Sequence, residues 1–74
     1  MTIRQFTAIL EKDEDWFVAL CPELDIASQG ESLEEARSNL AEAIELFFEM
    51  ASPSEIKERL HSEVFITQIG VPVA

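Results

Sequence analysis

The run from Leu33 to Met50, "LEEARSNLAEAIELFFEM", constrains this chain more than any other stretch, because both its period and its starting signal are specific. At about 100° of rotation per residue, Leu33, Ala36, Leu40, Ala43, Ile44, Phe47 and Met50 fall on one side of a helix, while Glu35, Glu42, Glu45 and Glu49 fall on the other. Ser32 supplies an oxygen for the free amides of the first turn, and Glu35, three residues on, completes a capping box, S-L-E-E. A helix this long with one apolar side needs an apolar surface to lie on, which the rest of the chain must supply.

The preceding residues do so. "IRQFTAIL", Ile3 to Leu10, alternates in the period of a strand, and "WFVALC" places Trp16, Val18 and Leu20 on one face and Phe17, Ala19 and Cys21 on the other. The charged stretch "EKDED" between them has turn length, which predicts a hairpin. Pro22 ends the second strand, "DIASQG" has room for a third short strand centred on Ile26, and Gly30 reads as the turn residue before the helix cap. After Met50, "SPSE" predicts a second helix start, with Ser52 as cap, Pro53 in the first helical position and Glu55 in the box position, running through about Leu60. "EVFITQIGV" predicts a last strand from Val64 to about Ile69, closed by Gly70 and Pro72. The expected fold is α+β, β-β-β-α-α-β, an antiparallel-containing sheet with one long helix on one face, and residues 1–74 as a single domain.

One helix covers one face, yet the first two strands are apolar on both. Contiguous apolar surface of this kind marks an interaction site, so a homo-oligomer is expected. Phe17, Ala19, Phe48, Val64 and Ile66 are the candidate self-association residues, through the last strand or the uncovered sheet face.

Charge narrows the partners. Fifteen acidic against five basic residues give a net charge of -10. Direct nucleic-acid binding is not expected, because that affinity comes from basic groups displacing counterions around phosphates. A basic partner would be steered in. The single cysteine cannot form an internal disulfide, the opening "MTIRQFTAIL" has no leader pattern, and no stretch approaches a membrane span; a cytoplasmic protein is the expectation, with no membrane association.

Catalytic chemistry finds little support. A Cys21–His61 pair would need a base or a positive field at the thiol, and the local field is negative. Asp13 and Asp15 run straight into Trp16 without the glycine and distant bidentate Glu of a calcium loop, and "FTAIL" and "FVAL" lack the strand carboxylates that two-metal nuclease chemistry wants. No catalytic residue, metal site or cofactor is expected, and the chain is not expected to be an enzyme. The candidate partner-binding residues are Asp13, Glu14, Asp15, Trp16, Glu23 and Asp25, gathered near one edge of the sheet.

The run "WFVALCPELDIASQGESLEEARSNLAEAIELFFE" resembles the signature of the HicB-like antitoxin family: an aromatic strand ending in Pro-acid-Leu, a Ser-Gln-Gly, and a Ser-Leu-Glu-Glu-Ala helix start ending in Glu-Leu-Phe-Phe-Glu. The resemblance covers about half the chain. It implies a partial or degenerate RNase H-like fold, and an antitoxin that neutralises a small basic HicA-type mRNA interferase by covering its RNA-binding surface without catalysis of its own. Where many members have a Pro-Gly-Cys turn, this chain has Asp25-Ile26-Ala27. The expectation is a short form lacking the C-terminal DNA-binding domain that longer members add. The alternative is a stand-alone homo-oligomer of the same fold with a regulatory or small-ligand role and no toxin partner.

Overall fold

The structure, a computed structural model, describes residues 3–61 and 63–74. Three strands and two helices follow in the order β1 (Ile9–Asp13), β2 (Trp16–Cys21), β3 (Ile26–Gly30), α1 (Leu33–Met50) and α2 (Pro53–Arg59). The sheet is antiparallel in the order β1-β2-β3, and α1 lies mainly across β3 and β2. This is the expected α+β arrangement as far as α2.

Two strand expectations are corrected. β1 starts at Ile9, not Ile3, and runs through Glu11, Lys12 and Asp13, residues expected in the turn. The reason lies in its partner: β2 ends at Cys21, opposite Ile26, and Pro22 then carries the chain away, so residues 3–8 have no strand to pair with. The amide of Thr7 goes instead to the carboxylate of Glu23, at 3.1 Å from both oxygens. The charges of β1 are tolerated because it is an edge strand whose residues are all exposed. The second correction concerns Val64 to Ile69, which forms no strand: β1-β2-β3 includes no fourth member, and period-two alternation provides the capacity to pair but not a partner.

The helix boundaries fall where the caps place them. Ser32 Oγ accepts from Glu35 N–H at 3.1 Å, while the Glu35 carboxylate reaches one residue further back than a standard box, accepting from Glu31 N–H at 3.0 Å. Ser52 and Glu55 close the full reciprocal box of α2, with Pro53 at its start. Ser52 is extended (φ -73°, ψ 160°), the conformation a residue before proline prefers, and this ends α1 and begins α2 within two residues.

Among the described residues the buried apolar side chains are Ala19, Cys21, Leu24, Ala36 and Leu40. Around them pack Phe6, Phe17, Ile26, Ile44, Phe47, Phe48 and Leu60. Gly30 is the last residue of β3, not a turn residue, and its φ is not positive. A Cβ there would lie 2.5 Å from Ala36 N and 2.8 Å from Glu35 C. Glycine is required because the first turn of α1 rests directly on the strand backbone.

Candidate functional site

Strand register decides which side chains share a face. One face carries Ile9, Leu20 and Ala27 in a row, then Glu11, Val18 and Gln29, then Asp13 and Trp16. The other carries Leu10, Ala19 and Ser28, then Lys12, Phe17 and Gly30, with Cys21 beside Ile26. Because Ala19 and Cys21 are fully buried and α1 rests on Gly30, the second face is the one the helix covers. The first is open, with Trp16 45% and Ile9 39% exposed and Val18 and Leu20 half-buried.

This open face has an apolar centre and an acidic margin. Glu11 and Asp13 lie on it, and Glu14 and Asp15 form the loop that joins β1 to β2 beside Trp16. Glu14 takes a left-handed φ of 56°, which lets two loop residues close the hairpin. The chain's few cations do little to offset these acids. Lys12 lies over the Phe17 ring at 5.9 Å on the covered side, Arg4 over Phe6 at 5.2 Å, and Arg59 over Phe47 at 5.6 Å.

The expected partner-binding residues divide into two groups. Asp13, Glu14, Asp15 and Trp16 stand together, all exposed, at the hairpin tip. Glu23 and Asp25 lie beyond the opposite end of β2, a strand of six residues or about 20 Å. Glu23 is committed internally: Thr7 Oγ1 donates to it at 2.6 Å, and Cys21 Sγ at 3.4 Å, in addition to the Thr7 amide. Burial pushes the Glu23 carboxyl up, but the hydrogen bonds from Thr7, from its own amide and from Cys21 together outweigh it and hold the group below its ordinary value. The same burial, with the carboxylate alongside, raises the Cys21 thiol, so Cys21 is a core residue with little thiolate character.

The backbone around Asp25 is held as firmly. Arg59 donates from Nε to the Leu24 carbonyl at 3.1 Å and from Nη2 to the Asp25 carbonyl at 3.0 Å, and His61 N–H donates to the Glu23 carbonyl at 2.6 Å. The Pro22–Asp25 turn is thus a clamp joining residues 3–8, the sheet and the end of α2. Asp25, at φ 56°, keeps an exposed side chain.

The expected self-association residues are dispersed too. Ala19 is fully buried under α1 and Phe17 half-buried on the same covered face, so neither belongs to the open side of the sheet. Phe48 packs on Phe6 with ring centroids 5.7 Å apart and on Phe47 at 5.4 Å, and it also lines the open groove between residues 3–8 and α1. Val64 is half-buried and Ile66 is 56% exposed, both outside the sheet. The sequence reading overlooked the role of Ile9, Val18 and Leu20 as the open face. A signal was present: Ala19, Cys21 and Gly30 are small, and small residues are what a helix needs beneath it for close approach.

Among the described residues no cluster of three or more His, Cys, Asp or Glu is placed to hold a metal ion, and no helix is long and apolar enough to cross a membrane. A curated UPF0150 protein of Helicobacter pylori (strain J99) is 51% identical to this chain over 41 residues, which cover 54% of the chain and 57% of the relative. The match therefore spans a little over half of that relative's length. No protein-family profile matches the chain, and no solved structure matches it.

Proposed function

We propose that the chain is an antitoxin-type binding module of the HicB-like kind, which neutralises a small basic HicA-type mRNA interferase by covering its RNA-binding surface. The observation that carries this reading is the open sheet face, where Ile9, Val18, Leu20 and Trp16 lie beside Glu11, Asp13, Glu14 and Asp15 in a chain of net charge -10. An apolar centre with acids along β1 and the hairpin tip suits a basic protein in two ways: the acids steer the encounter and mimic phosphate, and the apolar residues hold the complex once water is expelled. In this reading the module does no chemistry. The resemblance of the "WFVALCPELDIASQGESLEEA" run supports it, and so does the partial similarity to the UPF0150 protein.

The test is co-expression with the small basic protein encoded beside the gene. Rescue of growth and co-purification are expected for the wild type. The triple variant Asp13→Asn, Asp15→Asn, Trp16→Ala should lose both while keeping its fold, and Asp25→Asn should lose neither. A complex that survives the triple variant with unchanged salt dependence would place the contact elsewhere and remove the basis of the proposal.

A further inference from the structure

The residues that follow Glu63 differ from the rest of the chain. Residues 64–74, "VFITQIGVPVA", contain no charged side chain, although the whole chain carries twenty. They also leave Phe65 88%, Ile66 56%, Ile69 81%, Val71 62% and Val73 90% exposed. The composition is that of a buried strand, and no strand pairing is made.

The dimensions of the molecule give the same message. Its radius of gyration is 14.4 Å, against about 11 Å for a compact chain of this length. Its longest extent, 48 Å, exceeds the roughly 27 Å length of its longest helix. The accessible surface is 6305 Å², about 1700 Å² more than a folded monomer of this mass exposes. A stable protein–protein interface removes about 800 Å² from each partner, so the excess is on the scale an association would cover.

The sheet has two edges, and they are not equivalent. On β3 the side chain of Asn39 donates to the Gln29 carbonyl at 2.8 Å, so one backbone group of that strand is already engaged by α1. On β1, residues Ile9–Asp13 have β2 on one side and no strand on the other. Ile9 and Leu10 project from this edge to opposite faces, 39% and 37% exposed. Beside Leu10's face a groove runs between residues 3–8 and α1, lined by apolar Phe6, Ile44 and Phe48 and also by the charged side chains of Glu34, Arg37 and Glu45.

From this combination we propose that residues 64–73 add as a strand to the free β1 edge of a second copy of the chain, reciprocally, to form a closed two-fold dimer. One set of alternate side chains then extends the open face next to Ile9, and the other fills the groove beside Phe48. Charge selects the occupant. A basic partner is drawn to the acids of the hairpin tip and gains no Coulomb attraction from an uncharged segment. A second copy, itself at net charge -10, can accept this uncharged strand on its body without added like-charge repulsion, which an acidic strand would bring. Reciprocal exchange also satisfies both edges at once, whereas one-way addition would build filaments.

Light scattering on the full chain at 10 to 100 μM is the test, together with two variants: a chain ending at Glu63, and Ile66→Asp combined with Ile69→Asp. The wild type should weigh twice its 8.3 kDa, and both variants should fall to the monomer mass with helical circular dichroism retained. Amide exchange should show residues 9–13 protected in the wild type and open in the double variant. A wild-type monomer at 100 μM overturns the proposal, including one whose segment 64–73 is protected by folding back on its own β1. A dimer whose mass survives the double variant overturns it as well. None of these outcomes depends on a toxin, so failure here and failure of the antitoxin reading are separable.

Discussion

Gly30→Ala isolates the contact on which the whole helix–sheet arrangement rests. The added Cβ would sit 2.5 Å from the Ala36 amide nitrogen, 2.8 Å from the Glu35 carbonyl carbon and 2.9 Å from Glu35 Cβ, where ordinary contact begins at 3.4 Å. Two of these three neighbours are backbone of the first turn of α1, so no rotamer change relieves them. The helix start must move away by about 0.9 Å, the difference between 3.4 and 2.5 Å. That motion opens the packing of Ala36 and Leu40, two of the buried residues of the core. Overpacking against a well-filled site costs about 1 to 3 kcal/mol, and a backbone obstacle places this case at about 3. Replacing glycine lowers the entropy of the unfolded chain and offsets up to about 1 kcal/mol. The net loss is about 2 kcal/mol, from a total stability of about 4 to 11 for a chain of this length. At about 4 to 8 °C per kcal/mol, the melting temperature should fall by about 8 to 16 °C. Glu42→Ala, on the exposed outer side of α1, is the internal control and should shift melting by no more than about 3 °C. Thermal unfolding followed by circular dichroism at 222 nm reads both. A Gly30→Ala melting temperature within about 3 °C of wild type would refute the idea that close approach, rather than turn geometry, fixes this residue.

Two further substitutions probe the turns. Glu23 is held below its ordinary carboxyl value of 4.5, so its contribution to stability is fully present above that pH and is lost as pH falls through the lower folded value; Glu23→Gln should therefore cost stability at pH 7, and the gap to wild type in urea titrations should narrow as pH falls below 4.5. A gap that stays constant with pH would show that the Thr7 clamp acts through shape and not charge. Glu14 carries a left-handed φ that asparagine tolerates better, so Glu14→Asn should raise the melting temperature by about 2 to 4 °C, corresponding to about 0.5 kcal/mol, and a decrease would contradict the strain assigned to that loop.

What could be read in advance follows the range of the forces involved. Caps and helical periodicity act within four residues, and α1, α2 and the Ser32 and Ser52 starts are where they were expected. Strand content was legible as alternation, but strand limits depend on the neighbour: β1 begins at Ile9 because β2 ends before Pro22, a fact about another part of the chain. The same dependence explains Val64 to Ile69, whose pattern is that of a strand although it pairs with none of the three strands of the sheet. At the site, the acids of the hairpin tip were visible as a cluster. The loss of Glu23 from that cluster was not, since its partner Thr7 is sixteen residues away and no local pattern joins them.

The charge distribution separates two tasks that would otherwise compete for one small surface. The body concentrates its acids at the hairpin tip and along the outer helix face, and three of its five cations are drawn onto aromatic rings, where each contributes about 0.5 to 1 kcal/mol. Salt should weaken any association that uses the tip, because exposed charges beyond a Debye length of about 8 to 10 Å are screened. The neutral segment after Glu63 obeys the opposite rule. Burial of Phe65, Ile66, Ile69, Val71 and Val73 is driven by water, and added salt lowers the repulsion between two copies at net charge -10. Raising ionic strength from low to moderate should therefore loosen a basic partner and tighten self-association in the same sample. Each interface can thus be followed without disabling the other, and a parallel response of the two to salt would mean that they share one surface.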